Sequence, residues 1–187
     1  MRDPLRFFVP PESLIGDQVT ISGDAHHHLH NVLRTRLGSV LTLLDGQGRC
    51  CEVELQAINR QEARARVVRR WQEKDCALPI TLIQAVPKGD KFDLILQKGT
   101  ELGVCRFQPV QTAHAVPQLD ATRLTKREQR WLRIVSEAAR QCRRSFLPHV
   151  KPTSALVDVI NQRTDDLKLL LWETGSVPLA EALPDQQ

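Results

Sequence analysis

The chain has no tyrosine, and only five phenylalanines and three tryptophans among 187 residues. Proteins that hold single strands of nucleic acid on stacked rings need such side chains in number. That platform is excluded here, so any base recognition must lean on arginine and backbone groups. The five cysteines, Cys50, Cys51, Cys76, Cys105 and Cys142, are an odd set without CxxC spacing. This argues against a disulfide framework and against zinc, and fits reduced thiols. The opening MRDPLRFFVPP lacks the apolar core of a signal peptide. No apolar run is long enough to span a bilayer, and the chain is read as cytoplasmic. Also missing are GxGxxG, a P-loop, HExxH and GxSxG, the marks of dinucleotide, nucleotide, zinc-protease and serine-hydrolase sites.

What is present is arginine. Of 26 cations, 19 are arginine, and the net charge is +4. The planar guanidinium fork suits phosphates and base edges better than the lysine ammonium does. The surplus is local. From Arg123 to Arg144 there are eight cations and two anions, +6, so the rest of the chain is −2. Lys126, Arg130, Arg133, Arg140 and Arg144 recur near helical spacing in that stretch, opposite an apolar stripe of Trp131, Ile134, Val135, Ala138 and Cys142. A second set, Arg60, Arg64, Arg66, Arg69 and Arg70, lies earlier. Two basic stripes are the footprint expected of a phosphate-binding surface. The plainer alternative is that Glu52 and Glu54 pair with Arg64 and Arg66 across strands.

The hydrophobic rhythm changes once along the chain. RFFV (6–9), QVTI (18–21), SVLTLLD (39–45), CCEVELQAI (50–58) and EARARVV (62–68) read as strands, with Gly46-Gln47-Gly48 as a hairpin signal. In the fourth, Cys51, Val53, Leu55 and Ala57 share one face, and adjacent Cys50 and Cys51 point oppositely. DAHHHLHNVLR (24–34) reads as a helix with Leu29, Val32 and Leu33 on one side. These elements suggest a small β-barrel. After residue 74 the pattern alternates. A strand at 80–86, apolar enough to be covered on both faces, precedes a helix at 90–102, a strand at 104–111 and a helix at 125–144. A helix at 154–162 and a strand LKLLLW (167–172) follow. Alternation of this kind implies a parallel sheet with packed helices. The expected division is 1–74 and 78–187.

The stretch QKGTELGV (97–104) holds a choice. Phe92, Ile95, Leu96, Gly99 and Leu102 share a face, which makes Gly99 a close helix–sheet contact and Gly103 a C-terminal cap. Lys98 and Glu101 are then either a surface ion pair or part of a site. His26 and His30 are one helical turn apart, but no cysteine or acid stands at metal spacing, and no metal is expected.

Taken together, these stretches resemble the ribosomal RNA small-subunit methyltransferase E family. Arg6-Phe7, His28-Leu29 with Val32-Leu33-Arg34, Lys88-Gly89-Asp90-Lys91, Gln97 to Val104, and Glu137-Ala138 with Gln141 and Arg144 carry the likeness. Arg140 departs from the pattern, where glutamate is common. The resemblance implies an N-terminal PUA-like β-barrel followed by a parallel α/β SPOUT-type, trefoil-knot domain. It implies transfer of a methyl group from S-adenosylmethionine to uridine N3 of small-subunit (16S) ribosomal RNA, with the 30S subunit as partner and a homodimer at full length. Arg144 is expected to stabilise charge, Gln141 to orient the base, and Glu101 to relay a proton or position Lys98. Arg6, His28, Arg34, Lys88, Lys91 and Lys98 are expected on RNA. The family's G-P-E-G-G and L-R-x-E-T-A cofactor motifs do not occur in this sequence, so the knot segment is expected to be incomplete and cofactor residues go unassigned. These 187 residues alone are expected not to methylate. The alternatives are an RNA-binding module without catalysis and a scaffold for an acidic protein.

Overall fold

A computed structural model describes residues 4–74, 78–112, 121–171, 174 and 177–183. The N-terminal strands form one five-stranded sheet, in the order β1-β3-β4-β5-β2. Its members are β1 (Leu5–Phe8), β2 (Gln18–Ile21), β3 (Val40–Leu44), β4 (Arg49–Ile58) and β5 (Ala63–Gln72). Only β1–β3 is parallel; the other pairs are antiparallel. Side-chain alternation delivers Phe7, Val19, Ile21, Leu41, Leu43, Cys51, Val53, Leu55, Ala63 and Ala65 to one core. The hairpin turn is fixed by Asp45, whose Oδ1 accepts from the backbone N–H of Gln47 at 2.7 Å and of Arg49 at 3.0 Å. A β-bulge between Leu55 and Ala57 shifts the face of β4. Ala57, expected inward, is therefore exposed.

The predicted histidine helix forms, then widens. α1 (Gly23–His27) continues as a π-helical turn, His28–Val32. The Leu33 N–H donates to the His28 carbonyl, five residues back, at 2.9 Å. The wider turn breaks the 3.6-residue spacing on which the sequence reading relied. Leu29 is fully buried, but Val32 is 59% exposed.

The second sheet is parallel, in the order β6-β7-β8, with β9 also on β7. It comprises β6 (Thr81–Ala85), β7 (Arg106–Gln111), β8 (His149–Val150) and β9 (Ser154–Ala155). Helices α2 (Lys91–Glu101) and α3 (Ala121–Gln141) enclose Phe92, Leu96, Val104, Phe107, Trp131 and Val135. α4 (Leu156–Asn161) and α5 (Leu179–Ala182) follow. Gly99 does what its position on the buried face suggested: a Cβ there would stand 2.7 Å from Phe107 Cε1. Gly103, at φ +96°, closes the helix, and the Val104 N–H reaches back to the Gly99 carbonyl at 2.9 Å.

Three further expectations are corrected. β6 is not covered on both faces among the described residues, since Ile83 is exposed; it is also an edge strand there. Leu167–Leu171 form no strand: apolar residues become a buried strand only where a ladder neighbour takes their backbone groups, and Leu170 and Leu171 are exposed. Trp172 lies outside the described residues. α3 ends at Gln141, and Arg143 turns the chain at φ +65°. Cys142 is thus exposed, and Ala139 takes the buried place expected for it. Cys76 lies outside the described residues.

Candidate functional site

A groove of about 1030 Å³ opens among the described residues. One wall is the first sheet's α1 start and hairpin turn, through Asp24, Asp45, Gly46 and Gln47. The other is α3 and the chain beyond it, with Arg133, Glu137 and Gln141 among the polar members, and His149 of β8. Gln97 of α2 also lines it. The sequence reading brought Gln97 and Gln141 out separately; folding gives them one cavity.

Both glutamines are held by carboxylates. Gln97 Nε2 donates to Glu101 Oε1 at 3.1 Å, and Gln141 Nε2 to Glu137 Oε1 at 3.4 Å. Glu101 also accepts from Lys98 Nζ at 2.7 Å, which holds its carboxyl below the usual range. Hydrogen bonding from the Arg140 guanidinium does the same for Glu137. Lys98 and Glu101 thus form the ion pair that their spacing allowed, beside Gln97; neither lines the groove.

Arg144 joins the ends of both helices. Its Nη1 donates to the Thr100 carbonyl at 3.1 Å and the Val104 carbonyl at 2.8 Å. Both carbonyls stand at or just past the C-terminus of α2, where a cation is favoured; that of Thr100 also accepts from the Gly103 N–H at 3.2 Å. Arg144 is not among the groove-lining residues. His28 rests edge-on against Phe7, with ring centroids 5.9 Å apart. Burial, with the nearby Arg140 charge, lowers its pKa and favours the neutral ring at pH 7. Arg34 is exposed and left-handed at φ +47°, a conformation that arginine adopts only at a cost of about 1 kcal/mol or more. Lys88 and Lys91 are exposed at the turn into α2. No bond or ion pair among the described residues ties Arg34, Lys88 or Lys91 to the groove.

Two expectations change. Arg6, expected on phosphate, turns inward and donates from Nη2 to Ser145 Oγ at 2.8 Å. Of the second arginine set, three of five members are paired with carboxylates. Arg66 meets Glu54 at 2.8 Å, Arg64 meets Glu62 at 2.8 Å, and Arg70 meets Asp17 at 3.3 Å. On α3, Arg130 meets Asp93 at 2.5 Å. The cross-strand partner of Arg66 was visible in sequence; the partners of Arg70 and Arg130 lie across the fold and were not. Ser145 and Glu73 were also missed, since nothing local distinguishes them.

No group of three His, Cys, Asp or Glu able to hold a metal occurs among the described residues. His26 Nε2 instead lies 2.9 Å from the Asn59 carbonyl. No helix of the described residues is long and apolar enough to cross a membrane. A nucleoside cofactor needs a backbone cradle or buried polar groups awaiting a partner. Gly89, in the turn between β6 and α2, has nothing within 4 Å of a would-be Cβ. The buried polar atoms without partners, Arg6 Nε, Thr35 Oγ1, Asp45 Oδ2 and Trp131 Nε1, form no common seat at the sheet's carboxyl edge. None of the described residues is assigned to such a group.

Comparison with known proteins gives both halves a counterpart. Residues 74–187 match the model of the RNA methyltransferase domain, and residues 21–68 that of the RNA methyltransferase PUA domain. Ribosomal RNA small subunit methyltransferase E of Bacillus subtilis is 34% identical over 160 residues, 84% of this chain and 62% of that protein. The Mycobacterium tuberculosis protein of the same name is 36% identical over 77% of this chain and 55% of its own length. The chain thus spans somewhat over half the length of these relatives. Among solved structures, the Neisseria gonorrhoeae methyltransferase E bound to S-adenosyl methionine superposes with a TM-score of 0.80 at 33% identity. It covers 86% of this chain and 66% of its own. A Legionella pneumophila structure in complex with the same cofactor gives 0.88 at 26%, covering 94% and 73%.

Proposed function

The chain belongs to the RNA methyltransferase family, and from that premise we propose that it serves methylation of uridine N3 in small-subunit (16S) ribosomal RNA, with S-adenosylmethionine as methyl donor. The observation that carries this reading is the groove. It runs between a half that matches a PUA domain and a half that matches a methyltransferase domain. We take the division as 1–74 and 78–187. The protein would act in the cytoplasm on ribosomal RNA or the 30S subunit, as a homodimer at full length.

Methylation at N3 requires loss of a proton and stabilisation of the resulting anion. Gln141 is proposed to orient the base, because its amide is held by Glu137 while it lines the groove. Arg144 is proposed to stabilise charge, being a cation fixed through Nη1 and needing little reorganisation. Glu101 is a poor base, since Lys98 keeps it ionised well below neutral pH. Its proposed part is to position Lys98 and Gln97. His28, Arg34, Lys88, Lys91 and Lys98 are proposed RNA contacts. S-adenosylmethionine supplies the methyl group when bound.

A second reading, an RNA-binding module without catalysis of its own, is favoured by the match of residues 21–68 to a PUA domain. Calorimetric titration of the 187-residue chain with S-adenosylmethionine, run beside a binding assay with a 16S RNA fragment, separates the two. Saturable binding of both ligands supports methyl transfer by this chain. RNA binding alone supports the module. Failure to bind RNA at sub-millimolar concentration would sink both.

A further inference from the structure

The groove walls come from opposite halves of the chain, so its width depends on how those halves abut. They abut beside it, at a polar cluster that the mechanism above does not use. Ser145, just after α3, is 3% exposed. It accepts from Arg6 Nη2 at 2.8 Å and donates to a carboxylate oxygen of Glu73. Arg6 stands 3.7 Å from Glu73, and the Trp71 indole N–H donates to Glu73 at 3.1 Å. Arg6 lies in the first strand and Glu73 just past the last strand of the five-stranded sheet. One hydroxyl from the second half therefore ties down both ends of the first.

A backbone clip adjoins it. Gln47 bridges Phe146, and the Leu147 N–H donates to the Gly46 carbonyl at 2.9 Å. The approach is close enough that a Cβ on Gly48 would stand 2.4 Å from Phe146 Cζ and 2.8 Å from the Glu73 carbonyl. Gly46, Gln47 and Leu147 also line the groove. A shift at the cluster is thus a shift of both walls. Solvated ion pairs on a mobile seam would not look like this: a buried hydroxyl between two charges fixes direction as well as distance.

We propose that Arg6, Glu73 and Ser145 are positioning residues that lock the two halves into one orientation and so set the groove to the width RNA requires. The second clause rests on the function proposed above; the first does not. Residual dipolar couplings of the isotopically labelled 187-residue chain test the lock without RNA. In the unaltered chain both halves are expected to fit one alignment tensor. In Ser145→Ala, with the chemical shifts of both cores unchanged, they are expected to need two. Glu73→Gln is the second variant, keeping shape while removing the charge. Affinity for the 16S fragment is expected to fall about five- to tenfold in each, as the competent orientation becomes a minor one. The slope against salt should stay the same, because no phosphate contact is removed. A single tensor surviving in both variants overturns the lock. Two tensors with unaltered RNA affinity overturn the link to groove width. Two tensors in variants of a chain that never binds RNA leave the lock standing and remove the function.

Discussion

At the scale of single residues, Gly99 was legible and Arg6 was not, for one reason. Gly99 is explained by its neighbours on one helix face, whereas Arg6 is explained by Ser145, 139 positions away. Gly99→Ala tests the first. An added Cβ would meet Phe107 at 2.7 Å, and overpacking of that kind costs about 1–3 kcal/mol. Better helix propensity returns about 1 kcal/mol. A net loss is expected in urea unfolding, with partial recovery when Phe107→Leu is added. Glu73 gives a pH test. Burial pushes its pKa up, but hydrogen bonds from Ser145 and Trp71 and the Arg6 charge outweigh that and leave it lowered. A carboxylate with a depressed folded pKa stabilises above its unfolded value and loses that contribution as pH falls through the folded one. Ser145→Ala should therefore flatten the decline in stability below about pH 4.5, and carboxyl carbon NMR should show Glu73 titrating higher. An unmoved Glu73 titration would mean that the serine does not hold it.

At the scale of elements, what period alone determines came through: five N-terminal strands and the α2–β7–α3 alternation. The exceptions are places where local geometry changes the period. The π turn at His28–Val32 carries Val32 out to 59% exposure. The bulge at Leu55/Ala57 turns Ala57 out. LKLLLW failed differently, since its composition suits a strand but no ladder neighbour exists among the described residues. The early end of α3 has a chemical consequence. Helical periodicity put Cys142 on the buried stripe, yet the left-handed turn at Arg143 leaves it exposed. Cys50, one residue from Cys51 and on the opposite face, is buried beneath the Ser145–Glu73 contact, and burial pushes its thiol up to about 11. Thiolate is the reactive form. Ellman's reagent at pH 8 should therefore modify Cys142 rapidly and Cys50 only on unfolding, as peptide mapping would show. Equal rates at the two positions would contradict this packing.

At the scale of the whole molecule, counting arginines proved a weak guide to where a polyanion would lie. Formal charge ignores pairing, and pairing is decided by the fold. Arg64, Arg66 and Arg70 each face a carboxylate, so the arginine set of the first sheet presents less net field than its count suggests. What the totals did convey was that arginine would matter; what they hid was that some of it serves the protein itself, at Arg6 and Arg144. RNA binding then has a salt dependence that discriminates paired from unpaired cations. Each phosphate neutralised by a cation contributes about 0.7–0.9 to the slope of log K against log salt, through release of condensed counterions. Arg66 releases none while it is bonded to Glu54, so Arg66→Ala should leave the slope unchanged. Arg34, exposed, held in a left-handed conformation and without an acidic partner among the described residues, should behave otherwise. Arg34→Ala should weaken binding to the 16S fragment and lower the slope by about 1. If both substitutions lower it equally, the ion pairs open on RNA and the first sheet's arginines belong to the interface after all. If neither does, the RNA lies elsewhere on the molecule.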